Sequence, residues 1–412
     1  MCGGFSVSFG LMAVDWHDRI NFDRMREERV KRAKEQIHKH SLGSVLTFDY
    51  YNIRYLTSTF IGMWARTPDF LRYAVLTDGG EPYIFDMGSA AIKERMVAPW
   101  LGDRIRPAVS SWRGGITGTG AEKKCAQGIK KILDDNKVSR EPIGLDLGYP
   151  NLIKALEEEG LEVVDGNPAM WDARVVKTGD EIECHKVIAM MVDAVYDKIR
   201  HALRPGVREN DLVAIANHAL FTMGADDVEA VNSISGPRTN PNWHDFSDRT
   251  IRPGDMVFMD IMAAYNGYRS CYYRTFCCGS ATEEQKALYK QAYDWIEASI
   301  DVIRPGITTA DIAKTWPGPD VWGLNTETEA FANCIGHGIG LGLHEPPLIS
   351  RAYSLDNPWE IKENMVLAVE TYAGPKGGKQ GVRIEEMVVV KEDGHEVISQ
   401  YPIQEVSECP LI

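Results

Sequence analysis

A Pro-Gly helix stop occurs twice in this chain in matching surroundings. Ala202-Leu203-Arg204-Pro205-Gly206-Val207, with Asp211 beyond it, returns one hundred residues later as Val302-Ile303-Arg304-Pro305-Gly306-Ile307, with Asp311 beyond it. In the same order, Met256-Val257-Phe258-Met259-Asp260 resembles Met365-Val366-Leu367-Ala368-Val369-Glu370, each an apolar run ending in a carboxylate. Two matches in one order at nearly one offset imply two copies of a single unit, a pair of helices followed by a hairpin. Such copies commonly face each other about a pseudo-two-fold axis. Asp260 and Glu370 would then converge at the centre.

Periodicity fills in the unit. Glu181 to Leu203 reads as a long amphipathic helix, followed by a second near 209–223. Residues 251–276 read as a long hairpin around Tyr265-Asn266-Gly267. The series restarts with helices at 283–303 and 309–315 and strands between 333 and 398. Upstream, from about 20 to 170, the text differs. A charged helix at 24–41 precedes strands at 43–49, 72–78 and 82–86. A helix near 121–135, a strand at 143–147, a helix near 150–159 and a strand at 161–164 follow. Strand and helix in alternation predict an α/β layer, and Asp165-Gly166-Asn167-Pro168 reads as a turn-rich join. With 412 residues, the expected organisation is an α/β N-terminal domain over 1–170 and an α+β C-terminal domain over 171–412 built from two pseudo-symmetric helix-helix-hairpin repeats.

Charge narrows the partners. Lys and Arg number 45 against 59 Asp and Glu, a formal net charge of −14. Binding phosphate backbones or anionic lipid needs a basic face, so neither nucleic acid nor membrane is an expected partner. No apolar run approaches the roughly 18 to 20 residues of a membrane span, and Met1 to Val14 has no basic n-region. A cytoplasmic protein is expected, with Met12 an alternative start. The eight cysteines show no C-x-x-C spacing, and most, Cys277-Cys278 included, read as reduced core residues.

Chemistry concentrates in four segments: His244 in PNWHDFSDR, Asp260 to Phe276, Cys334 through Pro347, and Glu370 with Arg383-Ile384-Glu385-Glu386. Hard and borderline divalent metals select carboxylate oxygen and imidazole nitrogen, and a catalytic site leaves one position open. Asp260, His337, Glu370 and Glu385 suit that purpose, and the glycines around His337 permit close approach of backbone or substrate. Adjacent strand residues point to opposite faces, so only one of Glu385 and Glu386 can enter a site. Trp64, Trp243, Tyr272 and Tyr273 read either as packing aromatics or as a cage for a quaternary ammonium or sulfonium cation. Arg383 is expected to pair with a site carboxylate, since an unpaired buried charge is costly.

In order and content these segments resemble the creatinase, prolidase and aminopeptidase P superfamily, whose fold is the "pita-bread" fold. Its metallopeptidase members carry approximately D-x-G-x-x-x-x-G-Y-x-S-D-x-T-R-T-F, then G-H-G-I-G-L-x-x-H-E-x-P, an apolar strand ending in Glu, and R-I-E-D. This chain has Asp260, Gly267-Tyr268, Ser270, Arg274-Thr275-Phe276, His337, His344-Glu345-Pro346, Glu370 and Arg383-Ile384-Glu385. Arg174-Val175-Val176-Lys177 with Asp180-Glu181 resembles the join between that family's two domains. The resemblance implies a divalent metal (Zn, Fe or Mn, one or two ions) held by Asp260, His337, Glu370 and Glu385, with Cys271 the candidate for a fifth ligand. It also implies His244, His344 and Glu370 as catalytic groups and a homodimer; Trp64, Trp243, Tyr272, Tyr273 and Arg383 are the candidate substrate contacts.

Cys271 stands where the metallopeptidase pattern has its second aspartate. Three readings stay open: an altered one- or two-metal site with Cys271 as ligand, a mononuclear site without it, or no metal, as in creatinase. Asn52-Ile53-Arg54-Tyr55, Trp64, Arg72-Tyr73 and Ser235 to Pro241 also resemble the dimethylsulfoniopropionate lyases of the superfamily, although His344 stands where those enzymes place an acid. The leading expectation is a hydrolase of a small amide, guanidino or Xaa-Pro-like compound, specialised away from general peptidase activity. The alternatives are a lyase eliminating a sulfonium or ammonium group and a catalytically lapsed binding protein.

Overall fold

The computed structural model describes residues 19–60, 62, 72–109 and 120–411. The N-terminal elements are α1 (Phe22–Lys39), β1 (Ser44–Thr47), α2 (Tyr50–Thr57), β2 (Tyr73–Thr77), β3 (Tyr83–Asp86), α3 (Gly88–Val97), β4 (Ile105–Pro107), α4 (Ala121–Asp135), β5 (Ile143–Leu145), α5 (Pro150–Glu158) and β6 (Val163–Asp165). They build one six-stranded sheet in the order β4-β3-β2-β1-β5-β6. The parallel pairs β1–β5, β5–β6 and β3–β4 and the antiparallel pairs β1–β2 and β2–β3 make it a mixed sheet. The expected turn-rich join is instead the start of a helix, α6 (Asn167–Val175). Pro168 sits in its first turn, where a missing N–H costs nothing. Helices α2 and α3 were not anticipated; α2 is capped by Asp49, whose carboxylate accepts from the N–H groups of Tyr51 and Asn52.

Next come α7 (Gly179–Ala202), α8 (Glu209–Met223), β7 (Asp227–Ser235), β8 (Met256–Tyr265), β9 (Tyr268–Arg269) and β10 (Tyr273–Cys278). The same order of types returns in α9 (Glu283–Asp301), α10 (Thr309–Ala313), β11 (Ile335–Gly338), β12 (Glu345–Ile349), the short α11 (Arg351–Ser354), β13 (Val366–Ala373), β14 (Val382–Lys391), β15 (Gly394–Val397) and β16 (Ser407–Cys409). Thr178 with Glu181 and Thr282 with Gln285 form capping boxes that start α7 and α9.

The repeated Arg-Pro-Gly segments make the same bonds. Gly206 N–H donates to the Ile251 carbonyl (3.0 Å) and Gly306 N–H to the Ile361 carbonyl (2.9 Å). Ile251 N–H returns to Val207 and Ile361 N–H to Ile307, both at 2.8 Å. Asp211 accepts from the Arg208 N–H (3.0 Å) and Asp311 from the Thr308 N–H (2.9 Å), so both aspartates satisfy a donor at a helix start. Both glycines have positive φ, 94° and 88°, which most side chains would strain to adopt.

Two five-stranded sheets form this half of the molecule. One runs β16-β10-β8-β7 with β9 on β8, the other β12-β11-β13-β14-β15. Asn266 and Gly267, both at positive φ, close the β8–β9 hairpin with a two-residue turn whose twist matches the strands. The sheets meet where β10 lies along β14. Thr275 Oγ1 donates to the Arg383 carbonyl (2.6 Å) and accepts from the Arg383 N–H (3.1 Å), and Arg274 donates to the Glu385 carbonyl (2.6 Å). Among the described residues no helix is long and apolar enough to cross a membrane.

Candidate metal centre and substrate cavity

Strand register decides which side chains share a face. On the first sheet Asp260 pairs with Tyr273 and Asn232 with Asp260. Met262 lies two residues on along β8, and Cys271 lies two residues ahead of Tyr273 in the extended segment that leads into β10, so Asp260, Met262, Cys271 and Tyr273 come to one side. All four line a cavity of about 850 Å³, together with Asn232, His244, His337, His344, Glu370 and Arg383. On the second sheet Glu370 pairs with both Ile335 and Glu385, and Tyr372 with Arg383. That register puts Glu370, Glu385, Arg383 and His337 on the face that meets Asp260. Glu386 points the other way, accepting from Arg274 (2.9 Å) and from Ser399.

The same alternation corrects one expectation. Tyr272 is turned from the cavity and donates its hydroxyl to the Ala189 carbonyl (3.0 Å) and to Asp193 (2.9 Å) on α7. Tyr273 alone of the pair faces substrate space. Trp243 is also corrected: it is exposed on its loop with the Arg238 guanidinium 5.0 Å over its ring, outside the cavity wall. Trp64 lies outside the described residues. The rest of the aromatic lining comes from Trp171, Phe331, Tyr353 and Trp359, none of which lies in a motif segment. Trp171 belongs to α6.

The five expected ligands do not gather equally. Cys271, His337 and Glu385 bring a sulfur, a ring nitrogen and a carboxylate oxygen within 4.8 Å of one another, all buried. Asp260 lies beside them, with each oxygen 3.9 Å from the Cys271 sulfur. Glu370 is engaged elsewhere: Arg383 donates from Nε (2.9 Å) and Nη2 (2.8 Å) to its Oε2. Three carboxylates, Asp260, Glu370 and Glu385, thus share buried space with the Arg383 guanidinium. Among the described residues neither oxygen of Glu385 has a partner in good hydrogen-bond geometry, the Cys271 thiol being a neighbouring donor, although the residue is wholly buried. A carboxylate left bare in this way either keeps its proton or takes a cation. The residues fit a divalent metal.

Burial and neighbouring charge shape the protonation states. Burial, reinforced by Glu370, pushes the Asp260 carboxyl up to about 8, and burial with Glu370 and Asp260 pushes Glu385 well up. The Cys271 thiol is raised by burial and by Asp260. His337 is pushed down to about 3 by burial and by the facing His344, whose ring centroid is 4.5 Å away. Desolvation at the cavity mouth and the Arg383 charge lower His244.

The Gly-rich segment around His337 is shaped by close contacts. A Cβ on Gly338 would sit 2.1 Å from the Pro346 carbonyl oxygen, and one on Gly340 would sit 2.5 Å from Glu345 Oε2. Glu345, quoted in the motif but given no role there, is a buried anchor. It accepts from Arg174 Nη2 (2.8 Å), Gly342 N–H (2.8 Å) and Lys177 Nζ (3.3 Å). Burial opposes its ionisation, but Arg174 and Lys177 prevail and hold the carboxyl down to about 2. The anchor ties the join after α6 to the strand that follows His344.

Comparison with known proteins agrees with this architecture. The model of metallopeptidase family M24 matches residues 183–392. Dimethylsulfoniopropionate lyase DddP of Roseovarius nubinhibens is 23% identical over 425 aligned residues, covering 97% of this chain and 91% of that protein. The Xaa-Pro dipeptidase of Pyrococcus furiosus is 30% identical over 227 residues, covering 54% of this chain and 62% of that protein. Among solved structures, the Xaa-Pro dipeptidase from Bacillus anthracis superposes with a TM-score of 0.74 at 20% identity, covering 93% of this chain and 99% of the other. The mixed α/β architecture is that of the pita-bread fold, and the chain belongs to metallopeptidase family M24.

Proposed function

We propose that the protein is a metal-assisted hydrolase of a small amide, guanidino or Xaa-Pro-like substrate, with residues 171–412 as the catalytic unit, residues 1–170 as an α/β partner domain, and a homodimer as the working form. The observation that carries the reading is His344. It stands on the cavity wall, ring against ring with His337, above the buried carboxylates, where a donor can serve a developing oxyanion or a leaving amine.

Cys271, His337 and Glu385 would hold a divalent metal, which when bound would supply Lewis-acid polarisation of the scissile bond and a lowered water pKa. The chain's own residues do the rest. Arg383 holds Glu370 by Oε2, and Glu370, on the cavity wall, takes a proton from the attacking water. His344 returns a proton to the leaving nitrogen, and His244 at the rim donates to the substrate. Trp171, Phe331, Tyr353, Trp359 and Tyr273 exclude water and favour an apolar or cationic substituent.

A second reading, elimination of a sulfonium or ammonium group, draws on the end-to-end likeness to the lyase and on this aromatic lining. One panel separates the two. Metal-loaded protein is assayed against Xaa-Pro dipeptides, small amides and guanidino acids, and against dimethylsulfoniopropionate. Amine or ammonia release with no acrylate supports the hydrolase; acrylate with no amide cleavage replaces it with the lyase.

A further inference from the structure

The three donors that converge at the back of the cavity differ in kind: a thiol, an imidazole and a carboxylate. Each is prepared for ligation. His337 Nδ1 lies 2.9 Å from the Gly338 carbonyl; donating there commits the proton to Nδ1 and leaves the Nε2 lone pair free, the arrangement found behind metal-ligating histidines. Glu385 has two buried oxygens, neither with a well-formed hydrogen bond among the described residues, and the Cys271 thiol beside it. Cys271 projects from the first sheet into the space between them. The other two acids stand beside this trio: Glu370 is clamped by Arg383, and Asp260 touches the Cys271 sulfur, 3.9 Å from each of its oxygens, without joining the three donors that lie within 4.8 Å of one another.

We infer that the centre holds one metal ion per chain, ligated by Cys271 Sγ, His337 Nε2 and Glu385, with its fourth position open to the cavity and with selectivity for borderline metals such as Zn²⁺, Co²⁺ or Fe²⁺ over Mn²⁺ and Mg²⁺. Three protein ligands and one open position is the pattern of catalytic zinc sites. A thiolate turns the preference away from the hard ions that an all-carboxylate cluster would favour. Ligation forms a metal–sulfur bond as the S–H bond breaks, the proton leaving to buffer, with no change of oxidation state. The inference rests on the metal-assisted reading above and sharpens it: the expected Mn²⁺ option and the two-ion option both drop out, and Asp260 and Glu370 become proton-handling neighbours of the ion.

The test is titration of the chelator-stripped, full-length protein with Co²⁺, read by absorption and by elemental analysis after gel filtration. A sulfur-to-cobalt charge-transfer band in the near ultraviolet should rise and saturate at one equivalent. It should vanish in Cys271→Ser and persist in Cys334→Ser, whose sulfur is also buried near Arg383. In competition, Zn²⁺ should displace Mn²⁺ readily, and Cys271→Ser should lose at least about 100-fold in Zn²⁺ affinity, the upper bound for loss of an outer-shell partner. The unmodified protein shows whether a sulfur ligates, and Cys334→Ser, which should keep the band, supports the assignment to Cys271 even if Cys271→Ser folds poorly. Bound cobalt with no sulfur band, a band that saturates at two equivalents, or a band that survives Cys271→Ser overturns the inference while leaving metal assistance standing. No divalent ion bound at all overturns both.

Discussion

Replacing Glu345 by glutamine probes the anchor that fixes the chain around His344. The substitution keeps the shape and removes the charge, so Arg174 and Lys177 are left as buried cations without their shared counter-ion. Breaking a buried pair from one side costs about 3–5 kcal/mol. An independent route gives a similar figure. The carboxyl, ordinarily near 4.5, is held to about 2, and at about 1.4 kcal/mol per pH unit the difference is about 3 kcal/mol. For a chain of 412 residues unfolding as one unit, about 2.1 cal/mol/K per residue converts this into a Tm lowered by about 4–6 °C. Because the folded pKa is depressed, the contribution is complete above about pH 4.5 and disappears as the pH falls towards 2. Differential scanning fluorimetry of both proteins at equal metal loading should therefore show a constant gap from pH 8 to 5 that closes in acid. A gap under about 1 °C at neutral pH, or one that widens in acid, refutes the reasoning.

Three further outcomes follow from the same geometry. Gly338→Ala drives a methyl into the Pro346 carbonyl and should cost about 1–3 kcal/mol or more; elemental analysis should show reduced metal content, because His337 is its neighbour on β11. His244→Ala should lower kcat/KM by about 100-fold on whichever substrate the panel identifies, with Tm and metal content unchanged; a shifted Tm would make His244 structural. Arg383→Gln strips Glu370 of its counter-ion and should destabilise the chelated protein by about 3–5 kcal/mol. Added Zn²⁺ should recover a larger part of that Tm loss than it adds to the unmodified protein, and equal gains in the two would show that the carboxylates do not share one field.

What could be read along the chain was whatever depends on neighbours in sequence. The Arg-Pro-Gly repeat marked helix ends because proline, glycine and a capping aspartate act within a few residues, and strand alternation separated Glu385 from Glu386 for the same local reason. Applied to Tyr272 and Tyr273, that alternation also tells that only one faces the site, but which one depends on where β10 lies relative to α7. The register across β10 and β14 joins residues more than a hundred positions apart, and no periodicity reports it. So the drawing together of Cys271, His337 and Glu385 ahead of Asp260 and the aromatic wall from Trp171 to Trp359 were decided by tertiary packing, and which site carboxylate Arg383 pairs with was decided by the β13–β14 register. The sequence by itself determined the fold, the family and the cast of acidic, imidazole and thiol groups. Packing of the two sheets decided which of them share one buried field, since charge and coordination act through distance in space and are blind to distance along the chain.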